Sequence, residues 1–171
     1  MGNEFVFKSR RSMPVIPLRG LSVFPGMLLN LDVERPMSIA SLNMAMSFDQ
    51  IVLMTAQKEI IKDVPLEEDI HKIGTVCRIR QLLKQPGNKT MRIMVEGLTK
   101  GKIETIIMDK PALVAEVEPY VDINEKETVK TEALRRRCIS LFSEYAAESG
   151  NIARESIVNI AESTDPSYVS D

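Results

Sequence analysis

Apolar residues are spaced in two different ways in the first half of the chain. Short runs that are continuous or alternate with polar residues cover 15–18, 27–33 and 50–56. Such runs are typical of β-strands with at least one buried face. Between the second and third runs the spacing changes to three and four residues, at Ile39, Leu42, Ala45 and Met46. Because Pro36 suits the first position of a helix, the pattern predicts two strands, a short helix and a third strand, in that order.

Strand-like alternation returns further along the chain, where turn residues separate the apolar runs. These runs cover 73–84, 91–96, 102–108 and 113–121. Pro86-Gly87-Asn88 turns the chain within the first pair, Gly97 closes that hairpin, and Asp109-Lys110-Pro111 turns the second pair. We therefore predict an α+β fold in which six or seven strands form a small, mainly antiparallel sheet that curls on itself around one inserted helix.

The composition changes at Asp122, after which the apolar spacing is helical. Asn124 suits the N-cap of a long helix with Glu127 three residues on, and Gly150 suits the left-handed residue that ends it. One face of this helix is apolar, at Val129, Leu134, Cys138, Leu141, Phe142 and Tyr145. A shorter helix is predicted around Ile152, Ile157 and Ile160. The chain thus divides into a flexible leader (1–12), a β-rich domain (13–121) and a helical segment (122–171).

The last residues have the form of a helix start. Asp165 and Pro166 suit an N-cap and a first helical position, yet the chain stops at Asp171, after less than two turns. We expect this helix to continue in a longer protein, of which the chain is a fragment.

Charge and cysteine content narrow the functional classes. The net charge is −2 with both signs interspersed, which disfavours a protein that binds nucleic acid mainly through phosphates. Two basic clusters are typical of solvated surface: Lys8, Arg10 and Arg11, and Arg135, Arg136 and Arg137. The two cysteines suggest no disulfide framework, and no apolar run approaches the roughly 18–20 residues of a membrane span. A cytoplasmic protein is expected.

Residues that carry catalysis or bind metals are sparse. His71 is the single histidine, which is too few for a zinc site or for a nucleophile paired with a histidine base. Cys77 and Cys138 are both expected to be small buried apolar residues. The segment 97–102 is one residue short of a phosphate-binding loop and lacks its final Ser or Thr, so a hairpin turn is predicted there. We expect no catalytic residue, cofactor or metal in this chain.

A binding function remains. The chain has ten methionines, whose flexible side chains suit either core packing or adaptable binding surfaces. Apolar residues in a loop and at a hairpin tip are harder to bury, and together they predict a surface for exposed apolar polypeptide. The candidate substrate-binding residues are Leu21, Phe24, Pro25, Met27, Leu82, Leu83 and Pro86.

The segment 13–46 also resembles a known family. Its P-L-R-G start and its later V-x-R-x-x-S-I spacing are similar to the opening of the ATP-dependent Lon proteases. The matched residues are Pro17, Leu18, Arg19, Gly20, Pro25, Met27, Leu31, Val33, Arg35, Ser38, Ile39 and Leu42. The segments IGTVCRIRQLLKQPGN and RIMVEGLTKGKI resemble the family as well, whereas Pro36 stands where the family usually has a charged residue.

This resemblance implies a non-catalytic N-terminal domain with a PUA-like barrel. Such a domain would recognise unfolded or damaged polypeptides and support assembly of a hexamer, while ATP, Mg²⁺ and a Ser-Lys endopeptidase site would belong to later domains of the parent. Two alternatives stay open: a freestanding adaptor for protein degradation, and an RNA-binding PUA-like barrel. The shortage of basic and aromatic surface counts against the second alternative, and the chain is expected to bind neither membranes nor nucleic acid.

Overall fold

The structure is a computed structural model that describes residues 7–84, 90–121, 128–150, 154–163 and 166–170, without the side chains of 154–157 and 167–168. Its strands are β1 (Arg11–Leu18), β2 (Leu28–Val33), β3 (Ile51–Ala56), β4 (Ile73–Lys84), β5 (Met91–Met108) and β6 (Val114–Pro119). Its helices are α1 (Pro36–Met46), α2 (Val129–Ser149), α3 (Arg154–Glu162) and α4 (Pro166–Ser170). The chain forms two compact units, residues 1–121 and 122–171.

Five strands of the first unit close into a ring. The sheet order is β2-β5-β4-β3-β1-β6, and β6 pairs with β5 as well, so that β5, β4, β3, β1 and β6 form a small barrel. Among the described strands, only β1 and β3 run parallel, and β2 and α1 form the crossover connection between them. Register shifts in the β4–β5 and β5–β6 pairs mark bulges, which increase strand twist and help the sheet to close. The predicted α+β fold and curled sheet are confirmed.

The longest strand differs from the sequence prediction. β5 runs without a break from Met91 to Met108, so Gly97 lies inside a strand instead of ending a hairpin. The first half of β5 pairs with β2 and the second half with β6. The predicted hairpin turn at 97–102 is therefore wrong, while the turn predicted at Pro86-Gly87-Asn88 lies outside the described residues.

Two apolar clusters fill this unit. One joins Leu42 and Ala45 of α1 to side chains from β1 to β5. The other draws on the five strands of the barrel, with Leu53 and Val76 among its fully buried members. β1 and β3 contribute alternate residues to both clusters, so both of their faces are buried. This explains why the residues 51–54 form an unbroken apolar run. The helix predicted at Pro36 is confirmed as α1.

The second unit consists of helices. α2 begins at Val129, where the Thr128 side chain accepts a hydrogen bond from the Thr131 N–H at 3.1 Å. The predicted cap at Asn124 and Glu127 lies outside the described residues, as do Ile152 and Asp165. Gly150 adopts φ +64° and ends α2 as predicted. Among the described helices, none is both long enough and apolar enough to cross a membrane.

Candidate functional site

The loop between β1 and β2, residues 19–27, is fixed to the barrel and is called the Phe24 loop below. Thr75 donates its hydroxyl to the Val23 carbonyl at 2.6 Å. Gly97 donates its N–H to the Met27 carbonyl at 2.8 Å and accepts from the Gly26 N–H at 2.9 Å. Gly26 has φ +82°, a left-handed conformation that glycine adopts at little cost. The loop therefore presents its side chains from a rigid base.

The sequence-predicted loop residues divide into a solvent-facing and an anchoring part. Leu21 is exposed, whereas Phe24, Pro25 and Met27 are half-buried. Met27 packs against the α1 cluster, and its sulfur accepts a hydrogen bond from the Phe24 N–H at 3.3 Å. Leu21 and the outer side of Phe24 are thus available for binding, while Met27 holds the loop.

Leu82 and Leu83, the described residues of the predicted hairpin-tip patch, do not lie at this loop. Leu83 is 50% exposed and lies opposite Arg92 in the β4–β5 pair, whereas the Phe24 loop is hydrogen-bonded to β5 at Gly97. Five positions along an extended strand correspond to about 17 Å. Leu82 packs against the α1 cluster, and Pro86 lies outside the described residues. The two predicted patches are therefore separate surfaces.

Sequence reasoning missed the apolar residues of the connection between β3 and β4. Ile60 and Ile61 are exposed, Ile61 to 94%, and so are Val64 and Leu66 in the same connection. Charged residues surround them in the sequence and lower the local mean hydropathy. The signal was nevertheless present, because four large apolar residues within seven positions of a polar connection are unusual.

This connection folds against the start of the Phe24 loop. Arg19 forms an ion pair with Asp63 at 2.6 Å and donates to the Lys62 carbonyl at 3.2 Å. A Cβ atom placed on Gly20 would lie 3.6 Å from the Ile60 Cδ1 atom. Ile60 therefore lies beside Gly20 and near Leu21. We call the exposed group Leu21, Ile60 and Ile61 the Leu21–Ile61 surface.

Internal hydrogen bonds fix the backbone beneath these isoleucines. The buried Gln57 side chain donates its amide to the carbonyls of Glu59 at 2.6 Å and Lys62 at 2.7 Å. Lys62 also pairs with Asp69 at 2.7 Å. The hydrogen bond from Lys62, followed by one from the Leu66 N–H, lowers the pKa of Asp69. The apolar side chains are thus exposed on an ordered support.

Arginines of both basic clusters pair with carboxylates, although most of them stay exposed to solvent, as predicted. Arg10 lies 3.5–3.6 Å from Glu104, Glu116 and Glu118, and Arg11 pairs with Asp49. The Arg135 side chain is only 14% exposed and contacts Glu132 at 2.8 Å. Hydrogen bonds from Arg135 and then Arg136 lower the pKa of Glu132 to about 2. The sequence-based interpretation of solvated arginines is wrong for Arg135, and these charges are already matched by carboxylates.

No group of three or more His, Cys, Asp and Glu side chains is placed to hold a metal ion within the described part of the chain. His71 is exposed near the end of the β3–β4 connection, as expected. Cys77 is buried, and burial raises the pKa of its thiol to about 12. Cys138 is exposed, so the expectation that both cysteines are buried is wrong for this residue, because its face of α2 is open to solvent.

The two thiols are expected to differ in reactivity. At about pH 8, iodoacetamide should alkylate Cys138 in the folded protein and leave Cys77 intact, because the thiolate is the reactive species and Cys77 is buried with a raised pKa. Mass spectrometry of peptides sampled over time measures both rates. In urea the two rates should converge, and rapid labelling of folded Cys77 would contradict the assignment.

A barrel that carries exposed apolar side chains on an ordered support is typical of a module that binds other polypeptides. Comparison with known proteins agrees with this class. Residues 12–171 match the model of the ATP-dependent protease La (LON) substrate-binding domain. The chain therefore belongs to the Lon substrate-binding domain family.

Individual relatives show how much of a Lon protease this chain represents. It is 38% identical to the Lon protease of Desulforamulus reducens over 161 residues, which are 94% of this chain and 20% of that protein. It is 34% identical to Lon protease 1 of Bacillus subtilis over 162 residues, or 95% of this chain and 21% of that protein. The chain spans about a fifth of the length of these relatives.

Solved structures share the fold. The N-terminal domain of the Mycobacterium avium complex Lon protease superimposes with a TM-score of 0.74 at 22% identity, covering 94% of this chain and 80% of that one. A Lon N-terminal domain protein from Xanthomonas campestris gives a TM-score of 0.53 at 14% identity, covering 91% and 92%.

Proposed function

We propose that this domain recognises unfolded or damaged polypeptides through the Leu21–Ile61 surface. The observation that carries the proposal is Ile61, exposed to 94% next to Ile60 on a hydrogen-bonded support, with Ile60 beside Gly20 of the Phe24 loop. Exposed apolar side chains on a rigid base bind apolar segments without ordering a loop first. A surface this small supports weak binding, with a Kd between about a micromolar and a millimolar.

The wider role in this proposal is that of one domain in a longer Lon protease. It captures polypeptide and delivers it to ATP-driven and proteolytic domains outside this chain, where ATP and Mg²⁺ bind and a Ser-Lys endopeptidase cleaves. Support of a hexamer and a cytoplasmic location belong to the same proposal. Carboxylate pairing of Arg10, Arg11 and Arg135 favours polypeptide over RNA as the ligand.

Replacing Ile61 by lysine should weaken binding of an unfolded polypeptide by about tenfold, because burial of one isoleucine side chain is lost and a charge is introduced. Binding is measured by NMR titration with a permanently unfolded, cysteine-free polypeptide. In the unmodified domain, amide signals around Leu21, Ile60 and Ile61 should shift first.

Phe48→Lys is the matched control. Phe48 is exposed to 79%, but it precedes β3, whereas the Leu21–Ile61 surface lies past the other end of that strand. This variant should bind as the unmodified domain does. Equal weakening by both substitutions, or shifts spread evenly over the barrel, would contradict the proposed surface.

A further inference from the structure

A cavity of about 230 Å³ lies between the end of β1, the end of β2 and the start of α1. Its walls combine apolar side chains, among them Leu18, Leu31 and Val33, with polar groups of Arg19, Arg35 and Ser38. β2 is an edge strand of the sheet, so the cavity opens beside main-chain groups that β5 does not use.

Ser38 places an unpartnered hydroxyl at this cavity. The residue is 2% exposed, and its buried Oγ atom has no hydrogen-bond partner in the described structure. Buried polar groups are normally paired, because a missing partner leaves the loss of hydration uncompensated. The Ser38 hydroxyl is therefore positioned to bond a ligand.

Arg35 brings a positive charge to the same wall. Its guanidinium donates to the Gln57 Oε1 atom at 2.9 Å and to the Pro17 carbonyl, both of which are neutral. Arg19, the other arginine of the cavity, is paired with Asp63. Burial and the nearby Arg19 charge lower the pKa of Arg35, and Asp63 opposes this shift. An added anion would favour the charged guanidinium.

The start of α1 contributes donors of its own. Arg35 is the N-cap residue but makes no capping hydrogen bond with its side chain, and the first turn contains no acidic residue. The Ile39 N–H bonds back to the Arg35 carbonyl at 2.9 Å, so the N–H of Ser38, which lines the cavity, has no acceptor within the helix. The helix dipole adds to the attraction for an anion.

Two carboxylates, Asp32 and Glu34, line the cavity and would oppose the binding of an anion. Asp32 accepts two hydrogen bonds from Arg92 at 2.7 and 2.8 Å, and this pairing lowers the pKa of Asp32. Glu34 is exposed and accepts from the Thr90 hydroxyl at 3.4 Å. Asp32 is therefore neutralised by Arg92, and the Glu34 carboxylate is held by Thr90, which does not line this cavity.

We propose that this cavity binds the C-terminal residue of a polypeptide. The α-carboxylate lies at the hydroxyl and N–H of Ser38 and at the guanidinium of Arg35, and the side chain lies against Leu31 and Val33. The volume of the cavity suits one residue rather than a larger ligand. The preceding residues of that polypeptide extend along the free edge of β2, which adds main-chain bonds that do not depend on sequence. This inference rests on the proposed function and adds a second binding determinant to it.

The cavity also gathers residues on which the family resemblance rests. Pro17, Arg19, Leu31, Val33, Arg35 and Ser38 are spread over 22 sequence positions and all line it. A purely structural role for Arg35, tying the end of β1 to the start of α1, is the competing explanation. The experiment must therefore separate ligand binding from stability.

The test compares two fluorescently labelled, unstructured peptides of identical sequence that end in leucine, one with a free carboxylate and one with a C-terminal amide. Fluorescence anisotropy should show at least about tenfold tighter binding of the free acid, because a charge-assisted contact is lost in the amide. Ser38→Ala should remove this preference while leaving the Tm unchanged or slightly raised, since it deletes an unpaired buried hydroxyl. Arg35→Gln should also remove the preference.

Arg80→Gln is the matched control, because Arg80 is an exposed arginine of the barrel that pairs with Glu96, and it should keep the preference for the acid. Equal binding of acid and amide would overturn this inference. Weak amide binding that Ile61→Lys abolishes would still support the proposed function, so the two failures are distinguishable. If inorganic phosphate shifts the Ser38 amide signal and the acid peptide does not, the cavity is a different anion site and the inference fails.

Discussion

Replacing Gly97 by alanine is expected to lower the free energy of unfolding of the barrel by about 3 kcal/mol. The added Cβ atom would overlap the carbonyl oxygen of Phe24 and approach Thr75 Cγ2 to 3.3 Å. The carbonyl belongs to the backbone of a loop that three hydrogen bonds hold in place, so it cannot rotate away as a side chain would. Urea titration followed through the amide signals of β5 measures the loss.

Gly101→Ala is the matched control on the same strand. Its Cβ atom would meet the side chains of Val117 at 2.8 Å and Val76 at 3.0 Å, and side chains can shift with smaller cost than backbone. We expect about half the loss seen at Gly97. The amide signals of the Phe24 loop should move in Gly97→Ala and stay in place in Gly101→Ala. Equal losses and an unchanged loop would show that Phe24 does not limit the position.

Replacing Leu42 by alanine should cost about 3 kcal/mol or more, within the range for buried leucines. Leu42 is fully buried in the cluster beneath α1. α1 is fixed by its neighbours, since the Ser41 hydroxyl also bonds the Leu113 N–H at 3.1 Å. The helix therefore cannot move in to fill the cavity left by the smaller side chain. Urea titration again measures the change, with the amide signals of α1 as the readout.

The adjacent residue supplies the control for Leu42. Asn43 is exposed on α1, and alanine is the better helix former, so Asn43→Ala should be neutral or slightly stabilising. A loss of less than about 1 kcal/mol for Leu42→Ala would mean that the helix closes over the cavity and that α1 is loosely packed.

Local patterns predicted most of the elements. Alternation identified the strands before Met46 and the β4–β5 pair, and Pro36 with a three- and four-residue spacing identified α1. The sequence could not show that β5 continues through Gly97, since glycine followed by Leu98-Thr99-Lys100-Gly101 has the composition of a turn. In the structure these glycines have a different role: Phe24 approaches Gly97 and Val117 approaches Gly101 so closely that a side chain at either position would clash.

The candidate site was predicted only in part. The Phe24 loop was identified from its own apolar residues, yet Ile60, which lies beside Gly20 of that loop, belongs to a connection about 40 positions away in sequence. The charges around Ile60 and Ile61 dominated the local average, and one of them, Asp63, in fact anchors that connection to Arg19. The cavity of Ser38 and Arg35 was not predicted, because nothing local distinguishes a buried serine with a partner from one without.

The sequence by itself determined which segments form strands, which form helices, and where the chain changes from one to the other. These features depend on side-chain spacing and turn residues within a few positions. Tertiary structure alone decided which apolar residues remain exposed, which arginines are neutralised and which glycines are indispensable. Burial and charge pairing depend on contacts between distant segments, as Arg19–Asp63, Arg35–Pro17 and Gly97–Phe24 show. The spacing of residues along the chain does not indicate which distant segments will be in contact.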